Sequence, residues 1–521
     1  MSKYLYGAAV QGIQDFIFKT NKLQEIVGAS ELVEQVCTSK FAEILGKKQE
    51  DLAMDSNAIV NAAGNIKYIF DDYGSCQEVV RLFPKQIVEH APGITISQAV
   101  VKYGEVSLED NEENGGIPEA KDFENAVMKL EEKLRSQRNK PMRSPTIGLM
   151  GIERSRQTGM PAIVTDKKEE HIDAATYRKL FDDEKRRNST TKLCRSAFGE
   201  DVDPKRIPFN IEKITGKNDW IAIIHADGNG LGQIVQHIGS EQSKFKVFSQ
   251  DLDAATKQAA QEAFKSLKLD NGLIPIRPIV LSGDDHTLIC RADLAIPYIY
   301  EFIRLFEKYT EEKLADKLVG VFSDGSVKLS ACAGITFIKS SYPFYYGYQL
   351  AEKLCEKAKK DTKEKFGFKE GKLPPSCIMF HKVQDSFVTN YDDIVMRELT
   401  PVKADKEKGI TAYSLKFGPY YINKVSEDRW TVEDLIQRSF ALSSERMTGV
   451  KTGLRRWLSA VAVDPENAKQ RMERLKSNMR KGKDITAYLE NVYDKWKDEQ
   501  RFPIYDILTI NTINTQKTKQ L

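Results

Sequence analysis

The run of apolar and polar positions lays out two similar blocks, a polar stretch between them, and a helical tail. Residues 3–10 read as a strand, and a helical stretch follows over 13–45. Short apolar runs at 58–61 and 66–70 flank Ala62-Ala63-Gly64-Asn65 and predict a hairpin. A helix near 77–89 and a strand near 94–101 complete a β-α-β-β-α-β order, which is the ferredoxin-like motif. From 104 to 215 the pattern loosens into a polar loop at 109–116, a charged helix over 118–138 and a mixed-charge stretch at 182–192. The second block opens at Asp219. Its first strand, 220–226, is nearly all apolar, as expected of a central strand covered on both faces. A Gly-rich turn and a helical region to 267 follow. Strands at 274–281 and 286–291 are joined by Ser282-Gly283-Asp284-Asp285, and a helix at 294–313, a strand at 327–338 and a helix at 343–360 complete the block. The order repeats, so the expected fold is α+β, with two ferredoxin-like palms. The expected units are a first, non-catalytic palm over 1–103, a largely helical connecting region over 104–215, a second, catalytic palm over 216–365 and a helical C-terminal domain over 366–521. In that last unit Leu435, Phe440 and Leu442, then Leu454, Trp457 and Leu458, recur at helical spacing.

Composition narrows the class. A chain of 521 residues is too long for one ordinary core, and 41% hydrophobic with 29% charged residues fits a folded, soluble protein. There is no run of eighteen apolar residues and no signal-peptide pattern, so a cytoplasmic protein without a membrane span is expected. The seven cysteines are scattered with no Cys-x-x-Cys pair, which argues for reduced thiols and against a zinc ribbon. A net charge of +3 speaks against nonspecific coating of nucleic acid while leaving room for a local basic groove.

Two short motifs carry the chemistry. His225-Ala226-Asp227-Gly228-Asn229-Gly230-Leu231-Gly232 ends the buried strand, and Ser282-Gly283-Asp284-Asp285 sits at a hairpin tip. In a ferredoxin-like sheet the first and third strands are adjacent and antiparallel, so Asp227 is expected beside Asp284 and Asp285. Such carboxylates repel unless divalent cations neutralise them, which points to two Mg²⁺ (or Mn²⁺) ions bound by Asp227, Asp284 and Asp285. Gly228, Asn229, Gly230, Leu231 and Gly232 would bring backbone amides to a triphosphate, with Ser282 and Gly283 shaping the hairpin. Lys357, Lys359 and Lys360 either reach the phosphates or form a solvated basic helix end. His225 and His286 read as core or supporting residues, since Mg²⁺ favours oxygen ligands. Arg455, Arg456, Lys469, Arg471 and Arg480 read either as a face for RNA or a partner subunit, or as a solvated face.

Taken together, Gly12-Ile13-Gln14-Asp15-Phe16-Ile17-Phe18, the segment from Arg154 to Ala162, Asp-Gly-Asn-Gly and Ser-Gly-Asp-Asp resemble the large polymerase/cyclase subunit of type III CRISPR effector complexes. The resemblance spans most of 1–365. It implies a nucleotidyltransferase that makes cyclic oligoadenylates from ATP in antiviral defence, with Asp284 and Asp285 as metal ligands and Asp227 as their partner. It also implies that Gln14, Asp15, Gly64 and Asn65 of the first palm lie near a second nucleotide, and that guide or target RNA and other effector subunits are partners. Ser282 replaces the family's first hairpin glycine. No His-Asp dipeptide occurs, so the family's DNA nuclease is not expected, and Gly151-Ile152 stand where cysteines are usual, so no zinc is expected. Three alternatives share the palm: adenylylation of a small molecule, a catalytically silent nucleotide- or RNA-binding scaffold, and a dinucleotide cyclase of the Gly-Gly-Asp-Glu-Phe type, which would lack a second palm in the same chain.

Overall fold

The computed structural model describes residues 2–62, 64–104, 117–139, 151–165, 169–180, 192–215, 219–232, 234, 242–267, 269, 272–384, 390–402, 413–479 and 482–514. The predicted polar loop at 109–116, the segment 403–408, most of 182–192, Ala63 and Arg480 lie outside them.

The first palm is built on β1 (Lys3–Gln11), β2 (Ala58–Ala62), β3 (Asn65–Phe70) and β4 (Thr95–Tyr103). Its sheet runs β2-β3-β1-β4, the ferredoxin-like order, with the two-residue β5 (Glu119–Ala120) added beside β4. The predicted helix over 13–45 is broken. Helix α1 (Ile13–Phe18) ends before Asn21, and α2 (Leu23–Gln35) starts a new direction and runs into a π-helical turn at Val36–Lys40. Helix α3 (Tyr73–His90) covers the same face. The opposite face is covered by α4 (Phe123–Arg138), whose Ala126, Leu130 and Leu134 bury against Leu5, Ile59, Ile69 and Val101. The reading of 104–215 as a helical connection is therefore corrected. Its main helix is a layer of the first palm, because an i, i+4, i+8 apolar stripe needs a sheet to bury it. A further strand pair, β6 (Ala162–Thr165) and β7 (His171–Asp173), follows, with α5 (Ala174–Leu180) docked on α2.

The second palm has β8 (Trp220–Gly228), α6 (Gln242–Ser266), β9 (Ile276–Ser282), β10 (Asp285–Arg291), α7 (Ala295–Leu318) and β11 (Ala331–Lys339). The order β11-β8-β10-β9 repeats that of the first palm. Helices α6 and α7 pack together on one face and α8 (Phe344–Lys365) on the other, so Ile221 to Ile224 of β8 are wholly buried. The expected helical stretch from 366 onward is also corrected. β12 (Cys377–Lys382) pairs parallel with β11, and β13 (Tyr420–Tyr421) pairs with β12, so the second sheet has six strands. The edge of β11 would otherwise leave its backbone groups unpaired. The helical tail begins later, with α9 (Val432–Ala441), α10 (Thr448–Val461), α11 (Pro465–Met479), α12 (Lys483–Val492) and α13 (Ile504–Asn514).

The palms meet reciprocally. Helix α2 of the first packs on β9 of the second, where Ser30 donates to the Ile279 carbonyl. Helix α6 of the second packs on β2 of the first, where Lys246 donates to the Asp55 carbonyl. Phe18 stacks on Tyr348 of α8 with ring centroids 4.1 Å apart. These contacts hold α1 against the second palm.

Candidate functional site

The site lies at the end of the second sheet where β8 finishes. In the register of β8 and β10, His286 stands opposite Ala226, so the β9–β10 hairpin lies beside Asp227 and Gly228. Gly283 turns the hairpin with a φ of 61°, and its carbonyl accepts from Thr256 of α6. A Cβ on Gly228 would sit 2.9 Å from both the Cβ and the Oδ2 of Asp284, so glycine is what lets the hairpin close on the strand.

The carboxyl group of Asp227 comes within hydrogen-bonding reach of that of Asp284. Loss of solvent in the crevice and the charge and hydrogen bond of Asp227 push Asp284 well above the usual carboxylate range. Asp285 follows on β10, on the same face of the sheet as His225 and Asp227. It accepts from Thr287 Oγ1 at 3.3 Å and lies 3.5 Å from His225 Nδ1, which in turn is 3.0 Å from Thr287 Oγ1. Lost solvation and the nearby Asp227 push it up as well, although 31% of its side chain is exposed. Burial holds His225 below its usual range against the pull of Asp227 and Glu352, so the imidazole is neutral at pH 7.

Among the described residues, a lysine of α8 binds this group directly. Lys359 of α8 forms an ion pair with Asp227 Oδ2 and donates to the Gly228 carbonyl at 2.7 Å. Burial pulls its ammonium down, but Asp227 and the neighbouring thiols hold it above its ordinary value. Beneath it lie three buried thiols. Cys332 is the register partner of Asp227 on β11, its Sγ is 3.6 Å from that of Cys377, and Cys355 donates to its carbonyl.

The sequence-predicted residues divide clearly. Asp227, Asp284, Asp285, Gly228, Ser282, Gly283 and Lys359 come together. Gln14 hydrogen-bonds the Tyr348 hydroxyl and Asp15 accepts from Tyr345, so α1 of the first palm reaches the helix that lines the site. Gly64 and Asn65 stay within the first palm, where the Gly64 carbonyl accepts from Val10 and Asn65 pairs with Ala9. The Asn229 side chain lies in the core. It is fully buried, and its amide donates to Ser330 Oγ at 3.1 Å and faces Cys332 Sγ at 3.3 Å. Gly230, with a φ of 78°, turns the chain past Phe322, and no described contact joins Leu231 or Gly232 to the carboxylates. Lys357 pairs with Asp392 at 2.8 Å and Lys360 with Glu364 at 3.7 Å, so both leave the site. Sequence reasoning missed Tyr348, Glu352 and Lys363, which share with Lys359 one face of α8 at spacings of four and seven residues, a legible signal.

Whether a divalent cation fits is decided by the donors. Among the described residues no three His, Cys, Asp or Glu side chains stand together as a finished metal cage. Mg²⁺ does not ask for one, since it takes one or two carboxylates and completes its shell with water and substrate phosphates. Asp227 and Asp284, within hydrogen-bonding reach of each other, are a donor set of that kind.

Residues 220–367 match the family described as Cas10/Cmr2, second palm domain. Among solved structures, the chain is similar to a Csm1–Csm4 cassette in complex with AMPPNP at 15% identity and a TM-score of 0.52, covering 98% of this chain and 70% of the other. A Csm1–Csm4 cassette in complex with cA4 is similar at 14% identity and a TM-score of 0.51, over 98% and 70%. Csm1 in T. onnurineus is similar at 13% and 0.53, over 98% and 69%. At these identities the likeness is one of fold. No curated protein matches this chain by sequence. Residues 220–367 thus match a Cas10/Cmr2 second palm domain, and the chain as a whole shares the fold of Csm1.

Proposed function

We propose that this protein is a metal-dependent nucleotidyltransferase that joins ATP into a cyclic oligoadenylate-type signal, acting as a subunit or relative of a type III CRISPR effector. The observation that carries this reading is the Asp227–Asp284 pair, two carboxylates held within hydrogen-bonding reach of each other beside Lys359. No packing role explains such a pair, because each carboxylate raises the cost of ionising the other. When bound, divalent cations would supply the charge that neutralises the pair and would stabilise the attacking and leaving oxygens of an in-line displacement.

The chain's own residues do the rest. Asp227 and Asp284 would hold the cations, with Asp285 on the same face as Asp227 kept in orientation by Thr287. Lys359, 17% exposed, would exchange its bond to Asp227 for a phosphate oxygen, the charge on Asp227 then being met by metal. Gly228 leaves the space over Asp284 open. Gln14 and Asp15 would carry the first palm's contribution through Tyr348 and Tyr345.

The similar Csm1–Csm4 cassettes are in complex with AMPPNP and with cA4, which supports adenine nucleotides as the substrate class and a second subunit as partner. Incubation of the purified chain with labelled ATP and Mg²⁺ or Mn²⁺, with and without RNA, followed by mass spectrometry, tests the proposal. Cyclic or linear oligoadenylates with released pyrophosphate are expected. An adenylylated small molecule would move the reading to that alternative, and intact ATP under every condition would return the protein to the scaffold reading.

A further inference from the structure

Cys332 of β11 sits between two neighbouring strands, and its sulfur is held by both. On the β8 side its Sγ faces the Asn229 amide at 3.3 Å, two residues beyond Asp227. On the β12 side it lies 3.6 Å from the Sγ of Cys377, its register partner on the parallel strand. Helix α8 covers the pair. Cys355 donates to the Cys332 carbonyl at 3.2 Å and stands one turn before Lys359. Cys332 and Cys377 are wholly buried, and all seven cysteines are free thiols.

The pair is placed for a bond. Register partners on adjacent strands stand about 4.8 Å apart, inside the roughly 4.4–6.8 Å between Cα atoms that a disulfide spans. The sulfurs need only close from 3.6 Å to about 2.0 Å, so side-chain rotation suffices and neither strand has to slide. A buried thiol is ordinarily a small apolar filler. Cys332 does more, because its sulfur meets an amide whose other acceptor is Ser330 Oγ at 3.1 Å. Drawing that sulfur toward β12 takes it from Asn229 and leaves a buried N–H without its acceptor, a cost the turn can relieve only by moving.

We propose that Cys332 and Cys377 form an oxidation site, at which hydrogen peroxide closes a reversible disulfide and loosens the turn from Asp227 to Gly230. One sulfur attacks the peroxide O–O bond and becomes a sulfenic acid as a first water leaves. The other sulfur attacks it, the S–S bond forms and a second water leaves. The two thiols give up two electrons and two protons in all, and the peroxide takes them. A dithiol reverses the step by thiol–disulfide exchange. The bond and the loosened turn stand apart from the proposed function. Their consequence for pyrophosphate release rests on that reading, because Asp227 is the register partner of Cys332 on β8 and moves with the turn.

The test is treatment of the full native chain with hydrogen peroxide, followed by peptide mapping without reductant. A peptide pair joined through Cys332 and Cys377 is expected, and dithiothreitol is expected to separate it. The Asn229 N–H donates to the Ser330 carbonyl at 2.8 Å in the reduced chain. Hydrogen exchange over 228–230 is expected to quicken at least about fivefold in the linked protein, the scale of weakening one hydrogen bond. Pyrophosphate release is expected to fall at least about tenfold, as misplacing a reacting group does, and to recover with dithiothreitol. Cys377→Ala is expected to hold its own untreated exchange and rate under peroxide, and Cys377→Val serves if that variant does not fold. Thiols that stay intact, thiols consumed without this link, or a link that leaves exchange over 228–230 unchanged would each overturn the proposal. A linked protein with quickened exchange, whose reduced form releases no pyrophosphate, would uphold the oxidation site and strike the catalytic reading instead.

Discussion

Lysines 357, 359 and 360 differ by a few hundred degrees of helical phase in all, and that phase decides their roles. Lys359 shares its face of α8 with Tyr348, Glu352 and Lys363, which the 3.6-residue repeat brings over the carboxylates. Residues 357 and 360 are turned about 200° and 100° from it and find Asp392 and Glu364 instead. Lys359→Met is expected to lower pyrophosphate release by about a hundredfold, the scale of losing one fixed donor to transferring phosphate, while Lys357→Met and Lys360→Met stay within about twofold of wild type. Initial rates at saturating ATP check this. Equal losses in all three would reduce the lysines to general surface charge. The sequence made the acidic hairpin legible, because a two-residue turn after an apolar strand has few other readings. It did not separate three neighbouring lysines, because their phase is fixed only once the buried face of α8 is known. Asn229 was hidden for a related reason. An Asp-Gly-Asn-Gly run looks like an open turn, and only the fold shows its amide taken by Ser330 and Cys332.

Among the elements, the contact of α8 with β11 sets the position of the lysine-bearing helix. Gly334 of β11 makes it possible. A Cβ there would lie 1.9 Å from the Ala351 carbonyl oxygen and 2.6 Å from the Cys355 backbone nitrogen. Backbone atoms do not give way as side-chain tips do, so Gly334→Ala is expected to cost about 3 kcal/mol and to lower the thermal midpoint by several degrees. Thermal unfolding followed by circular dichroism measures it, and an unchanged midpoint would mean that α8 is free to lift from the sheet. The central strands were readable from their apolar runs. β12 was not, since Cys-Ile-Met-Phe-His-Lys has no alternation to distinguish a parallel strand from a helical turn. The stripe of Ala126, Leu130 and Leu134 was present in the sequence, but nothing local said which sheet it would cover.

Across the whole molecule, the tail is tied to the second sheet through Asp506 of α13. It is buried and accepts from the Tyr420 hydroxyl at 2.6 Å. Burial pushes its carboxyl up to about 7, against the opposing pulls of Tyr420, the Gly418 N–H and Arg501. A folded-state value above the unfolded one means that the folded chain holds the extra proton. The stability this proton brings is present below about pH 4 and is lost as pH rises toward 7, at up to about 1.4 kcal/mol per pH unit. Asp506→Asn, which stays neutral, is expected to gain stability relative to wild type between pH 5 and pH 8. Chemical denaturation at several pH values checks this, and a constant difference would show that Asp506 is ionised throughout. The duplicated palm order was legible at this scale because two blocks with the same element sequence imply the same sheet. The reciprocal docking of α2 on β9 and α6 on β2 was not, because it depends on surfaces that no single element displays.

The central claim is that Asp227, Asp284 and Asp285 form a metal-dependent site acting on a triphosphate. Pyrophosphate release from ATP with Mg²⁺ or Mn²⁺, compared between wild type and Asp284→Ala with Asp285→Ala, tests it directly. The account predicts release by the wild type, its loss on chelation of the metal, and a fall of at least about a thousandfold in a double variant that still folds. Equal release by the two proteins would contradict it.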